Sequence, residues 1–176
     1  MFGVSLKTYK MTKFNKQIKI NASNEEVWKV ISNLGDVYKF HPGVLNSYYS
    51  SDDKAGIGAA RICELRPMGV IEETATKWDE GHGFTLRIDP IEKAPPVKNF
   101  FASLEITDDN SGYVTVVLSA QYDMKLGVVG KLLNAIMIRS QMEKALQGVM
   151  EGLKVYVEKG IEIVDGKTLS SFAKVA

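Results

Sequence analysis

Residues 127–160 read GVVGKLLNAIMIRSQMEKALQGVMEGLKVYVEKG, and the reading of this stretch decides the fold. Its apolar residues Val129, Leu132, Ile136, Leu146, Val149, Met150, Leu153 and Val157 recur at spacings of three, four and seven, the period of one side of a helix. Helical from Gly127 to Lys159, the segment would be about 45–50 Å long, enough to cross a small domain. A rod with one apolar side needs a surface to lie on. That side also drifts, by about a quarter turn at 100° per residue, from a stripe on Val129, Leu133, Ile136 and Ser140 to one on Met142, Leu146, Val149 and Leu153. Two contacts are therefore expected. The second half clamps onto a sheet as ordinary core, and the first half, with Gly127 and Gly130, borders a cavity as its gate.

The chain ahead of the helix supplies that sheet. TKFNKQIKI (residues 12–20) alternates Phe14, Ile18 and Ile20 with polar residues, the period of a half-buried strand. The pattern then breaks at Ser23-Asn24-Glu25-Glu26, a capping box in which the serine accepts from the amide three residues on and Glu26 reaches back. Val27, Trp28, Val30, Ile31 and Leu34 follow at helical spacing, so a short helix is expected over about 24–33. Val37 to Phe40 adds one further turn before His41-Pro42-Gly43 stops it. From Val44 onward, strand-like runs alternate with turn chemistry at Asp52–Gly56, Pro67–Gly69, Asp79–Gly83 and Asp108–Gly112, and Pro90 to Pro96 reads as a longer loop. Strands at this spacing point to an antiparallel meander, not to βαβ units.

A chain of 176 residues with 45% hydrophobic and 24% charged residues reads as one soluble globular domain. Its 22 basic and 21 acidic residues are intermixed, which leaves no electrostatic footprint for nucleic acid. Cys63 is the single cysteine, in a strand-like run with no histidine near it in sequence, so it reads as a core thiol in a reducing compartment. No apolar run reaches the length of a membrane span, and a cytoplasmic location is expected. The boundaries read from the sequence are an N-terminal tail at 1–11, one domain at 12–159 and a C-terminal tail at 160–176.

The capped first helix, Ala22-Ser23-x-x-Glu26-Val27-Trp28, is followed by Ile31, Asp36 and His41-Pro42. With it go Gly58-x-x-Arg61, a Glu72 or Glu73 in the next strand, Trp78-Asp79 closing that strand, and the Gly112-to-Tyr122 strand before the long helix. In this order the chain resembles the START-like, helix-grip (SRPBCC) superfamily, and within it the polyketide cyclase/dehydrase and lipid-transport group. The resemblance covers residues 12 to 158. It implies an α+β helix-grip fold, in which a curved antiparallel sheet of about seven strands wraps the C-terminal helix and two short helices follow the first strand. It also implies an elongated apolar cavity between sheet and helix. Members bind lipids, sterols, polyketides or plant hormones, and some are enzymes; one fold hosting many activities fixes no single one.

Period-2 alternation proposes the lining. Phe84, Leu86 and Ile88 share a face of one strand, Phe100, Ala102, Leu104 and Ile106 of the next, and Val114, Val116, Leu118, Ala120, Tyr122 and Met124 of the last. Leu133, Ile136, Met137 and Ser140 would come from the helix. Such a set could equally pack as a solid core. Arg61 lies between Ala60 and Ile62, and Arg87 between Leu86 and Ile88, so alternation turns both outward; the family's Gly-x-x-Arg arginine, often near the cavity, keeps Arg61 among the ligand-binding candidates. Of the adjacent Glu72 and Glu73 only one can face inward. Alternation puts Glu72 on the Trp78 face and Glu73 with Ile71 and Ala75, and the family spacing to Trp78-Asp79 points to Glu73. An inward carboxylate would be an acid/base group or a ligand anchor. His41 lies where the fold has its cavity entrance, and His82 between glycines in a turn is expected to be exposed. Arg139 and Glu143, four apart, can pair.

No metal-ligand spacing, nucleophile elbow, P-loop or dinucleotide fingerprint occurs, so no metal and no cofactor is expected. Three functions follow. The first is a carrier that holds a small hydrophobic ligand such as a lipid, isoprenoid or polyketide-like aromatic, without membrane insertion. The second is a polyketide cyclase or dehydratase in which Glu72 or Glu73, with Tyr122 or His41, moves protons on an enolisable substrate. The third is recognition of a protein partner through the rim or the exposed sheet face.

Overall fold

The edge strand β1 (Thr12–Ile20) lies against the last strand, β7 (Val114–Met124), so the two ends of the strand sequence meet. Between them run β2 (Val44–Tyr49), β3 (Ala60–Leu65), β4 (Gly69–Asp79), β5 (Gly83–Glu92) and β6 (Val97–Asp108). The sheet has seven strands in the order β1-β7-β6-β5-β4-β3-β2, with every pairing antiparallel. These relations come from a computed structural model that describes residues 11–67, 69–93, 97–108, 112–125 and 138–164. The meander expected from the turn chemistry is the one observed.

Helix α1 (Asn24–Ile31) starts at the capping box: the Glu26 amide donates to Ser23 Oγ at 3.2 Å, and the Ser23 amide donates to Glu26 Oε2 at 2.8 Å. Both satisfy backbone donors that a helix start otherwise leaves open. It buries Val27, Trp28 and Ile31. The further turn is a 3₁₀ helix, Leu34–Lys39, with Leu34 and Val37 in the core.

The long helix is described from Arg139 to Lys159 (α2), and it runs along β1. Arg139 sits 5.6 Å from the centre of the Phe14 ring, Lys154 Nζ donates to the Lys19 carbonyl at 2.6 Å, and Glu158 Oε1 accepts from the Asn21 amide at 2.7 Å. Leu146, Val149, Met150 and Leu153 are buried, which bears out the clamp expected of the second half. Its other neighbour is the loop after the 3₁₀ helix. A Cβ on Gly152 would lie 2.0 Å from the Phe40 carbonyl oxygen, and one on Gly148 3.1 Å from Pro42 Cγ, so glycine lets the helix backbone close on the loop's backbone at Phe40 and on its proline ring at Pro42.

Two expectations are corrected. Strand β5 continues through Pro90 to Glu92, because the ladder to β4 shifts register between Val70 and Ile71, and an irregularity tolerates a residue without an N–H. A second shift, between Ala75 and Lys77, brings Trp78 opposite the inward-facing Phe84, so Glu72 does not share the Trp78 face. The stretch after α2 also enters the core: Ile163 is buried, and its amide donates to the Lys39 carbonyl at 2.8 Å.

Candidate functional site

The inner face of the sheet carries apolar columns. Leu86, Ile88, Leu104, Ile106, Val116, Leu118 and Ala120 are buried on it, as alternation predicts. Against that background Arg61 and Glu73 stand out, being 7% and 8% exposed. They are direct cross-strand partners in the β3–β4 ladder, and Arg61 Nε donates to Glu73 Oε2 at 2.5 Å. Arg61 Nη1 also donates to the Leu34 carbonyl at 2.8 Å, which ties the pair to the 3₁₀ helix. A buried guanidinium is tolerable only when paired and hydrogen-bonded, and here it is both. Burial pulls the Arg61 pKa down, but the Glu73 carboxylate outweighs it, so Arg61 stays charged.

Two further groups close on this pair. Cys63, one place along the same face of β3, points its Sγ at Glu73 Oε2 across 3.5 Å. Burial, with the adjacent carboxylate, pushes its thiol well above the ordinary range and leaves it a neutral, unreactive donor. His41, in the loop held by Gly148 and Gly152, accepts the Gly43 amide on Nδ1 at 3.0 Å. A nitrogen that accepts carries no proton, so Nε2 is the N–H of a neutral imidazole. His41 keeps part of its surface in solvent. Burial nonetheless lowers its pKa to about 4, with Glu73 opposing the shift and Arg61 adding to it.

At the β6–β7 side the same face is aromatic. Tyr122 is fully buried between Phe14 and Phe100, whose ring centres lie 5.9 and 5.8 Å away. Burial raises its phenol pKa, and Arg139 opposes the rise. Phe100 and Ala102, although on an interior strand and facing inward, are only half-buried. At the end where β4 turns into β5, Trp28, Trp78 and Phe84 form a third group, with ring centres 5.4 to 6.3 Å apart. There Glu80 accepts the Trp28 indole N–H at 2.9 Å and the Trp78 indole N–H at 2.7 Å. The two donors hold its carboxyl below the ordinary range.

The structure thus pairs Arg61 with Glu73 and sets His41 within their electrostatic reach, with Tyr122 on the same face several strands away. Arg61 faces inward, against the alternation argument, because Cys63 and not Ala60 or Ile62 is its companion on the inner face. Arg87 is exposed and pairs with Asp89, as expected of an outer-face arginine. Glu72 lies on the outer face, where its Oε1 accepts from Ser50 Oγ at 2.9 Å, so of the two glutamates Glu73 is the inward one. Ser140 is exposed at the start of α2, while Ile138 before it and Met142 after it pack against the core. Arg139 does pair with Glu143, at 3.1 Å. Leu133, Ile136 and Met137, like Gly127 and Gly130, lie outside the described residues. His82 is exposed beside Asp79. Sequence reasoning missed the Glu80 bridge, although an indole two residues before a carboxylate in a tight turn is a signal that could have found it.

The chain from residue 11 to 158 matches the family model described as polyketide cyclase/dehydrase and lipid transport. It belongs to that family. Solved structures agree on the helix-grip fold. The chain is 12% identical to a major latex-like protein of Panax ginseng, covering 83% of this chain and 97% of that one with a TM-score of 0.67. A START superfamily protein of Mycobacterium smegmatis is 12% identical over 84% and 97% of the two chains, with a TM-score of 0.67. An aromatase/cyclase of a Streptomyces species is 13% identical over 86% and 98%, with a TM-score of 0.63. No curated protein matches this polyketide cyclase/dehydrase family member by sequence. Among the described residues, no helix is long and apolar enough to cross a membrane.

Proposed function

We propose that this family member binds a small hydrophobic ligand on the concave side of the sheet, with its apolar body along β5, β6 and β7 and its polar end at Arg61, Glu73 and His41. The observation that carries the reading is a buried ion pair, the one among the described residues with both side chains buried, set in a mostly apolar inner face. Binding sites for small molecules combine a mostly apolar lining with a few convergent polar groups. The half-buried Phe100 and Ala102 on an interior strand support the same reading, since a solid core would cover them. Protein purified under native conditions and extracted with organic solvent is expected to release a ligand detectable by mass spectrometry. Emptied protein is expected to bind Nile red in competition with that extract. Protein that releases nothing and leaves the dye unbound has a filled core, and the carrier reading falls.

One observation favours the cyclase or dehydratase reading: Glu73 is the inward glutamate, and its charge and that of His41 influence each other. A proton-transfer role would require the carboxylate to leave Arg61 for the substrate. Turnover of an enolisable polyketone that vanishes in Glu73→Gln would establish it.

A further inference from the structure

On the inner face of β3 and β4 the charged side chains among the described residues are Arg61 and Glu73, and they neutralise each other. The groups beside them add no charge. The Gly43 amide fixes His41 as the neutral tautomer with its proton on Nε2, and Cys63 is a thiol that donates to Glu73. Of the other charged side chains in the inward register, Lys16 lies on the edge strand β1, four strands from β4, and Asp108 at the exposed end of β6 opposite Val114; Arg139 of α2, over the Phe14 ring, is paired with Glu143. A ligand end arriving at Arg61 and Glu73 therefore meets hydrogen-bonding groups with no net charge.

We infer, on the carrier reading above, that the site selects ligands whose polar end is uncharged, a hydroxyl or carbonyl, and excludes carboxylates of the same apolar body. The reason is electrostatic bookkeeping at short range. A carboxylate leaving water needs a cation of its own, and the Arg61 guanidinium is already committed to Glu73 and to the Leu34 carbonyl. A hydroxyl or carbonyl needs only a donor or an acceptor, and the His41 Nε2–H and the carboxylate of Glu73 are of those two kinds. Selectivity then comes from what the site does not supply to the wrong ligand.

The test uses a matched pair, decanol and decanoate, each titrated at pH 8 against Nile red bound to the full chain. The alcohol is expected to displace the dye at a concentration about ten-fold or more below the acid. In Glu73→Gln, where Arg61 is left as an uncompensated cation, the order is expected to reverse in favour of decanoate. The double variant Arg61→Gln/Glu73→Gln restores neutrality and is expected to restore the preference for the alcohol; it and the wild type decide the matter if the single variant does not fold. Decanoate binding the wild type as tightly as decanol overturns the inference and leaves the carrier reading in place. Failure of the dye and of both compounds to bind overturns the carrier reading, and this inference with it.

Discussion

Glu73 and Glu80 belong to β4 and to the turn that follows it, and each carboxylate accepts from two side chains: Arg61 and Cys63 in one case, Trp28 and Trp78 in the other. Glu80 stands at the surface and holds an aromatic cluster shut from outside. Glu73 lies inside the sheet and holds a cation. The same chemical group is a clasp where water can replace it and an indispensable counter-charge where water cannot. Surface hydrogen bonds can be exchanged for hydration at little net loss, whereas an orphaned buried charge keeps its whole desolvation cost.

The sharpest way to break this comparison is to remove one half of the buried pair. Glu73→Gln is expected to destabilise the fold by about 3–5 kcal/mol in urea unfolding, because Arg61 is left charged in an apolar setting. The double replacement Arg61→Met/Glu73→Leu is expected to lie within about 1 kcal/mol of the wild type, since the charges leave together. A single variant no worse than the double one would mean that water reaches the pair, and the contrast with Glu80 would disappear.

Next in size is the response to acid. His41 has a folded pKa of about 4, below its ordinary 6.5, so between these values the unfolded chain binds the extra proton and stability declines as pH falls. The expected loss is about 3 kcal/mol over that window, and it should be largely absent in His41→Gln. Unfolding midpoints at closely spaced pH values check both. Third, Ile163→Ala, which loosens the segment bonded to the Lys39 carbonyl beside the His41 loop, is expected to cost about 2 kcal/mol. If the docked segment positions that loop, the variant should also shift the acid response of His41; an unchanged pH profile would confine Ile163 to packing.

The smallest effect is expected at Glu80, and in a different window. Its folded pKa lies below the ordinary 4.5, so the stabilisation is fully present above that value and is lost as pH falls further. Glu80→Gln should leave stability near neutrality almost unchanged, flatten the profile below pH 4.5 and shift the emission of the two tryptophans, both of which it touches. A loss at neutral pH as large as that of Glu73→Gln would show that the turn is not a surface clasp.

The features legible from the residues alone are those that neighbours along the chain determine. The capping box at Ser23 and Glu26, the alternation in β5 to β7, the turns between strands and the apolar side of α2 from Leu146 to Leu153 were all legible, because each is a repeat or a contact within a few residues. Alternation alone also paired Glu73 with Ile71 and Ala75. It failed at Arg61, where the expectation that charge faces water was overridden by a partner on the next strand, twelve residues away. It failed again at Trp78, because a register shift reverses the faces beyond it and leaves no mark in the periodicity. Ile163 and the Trp28 half of the Glu80 clasp were invisible for the same reason, their partners being the Lys39 carbonyl and a carboxylate fifty-two residues on. Tertiary structure alone decided which polar residues meet inside the sheet, since the cost of burying a charge depends on what the fold sets opposite it, and that is fixed by strand register rather than by local sequence.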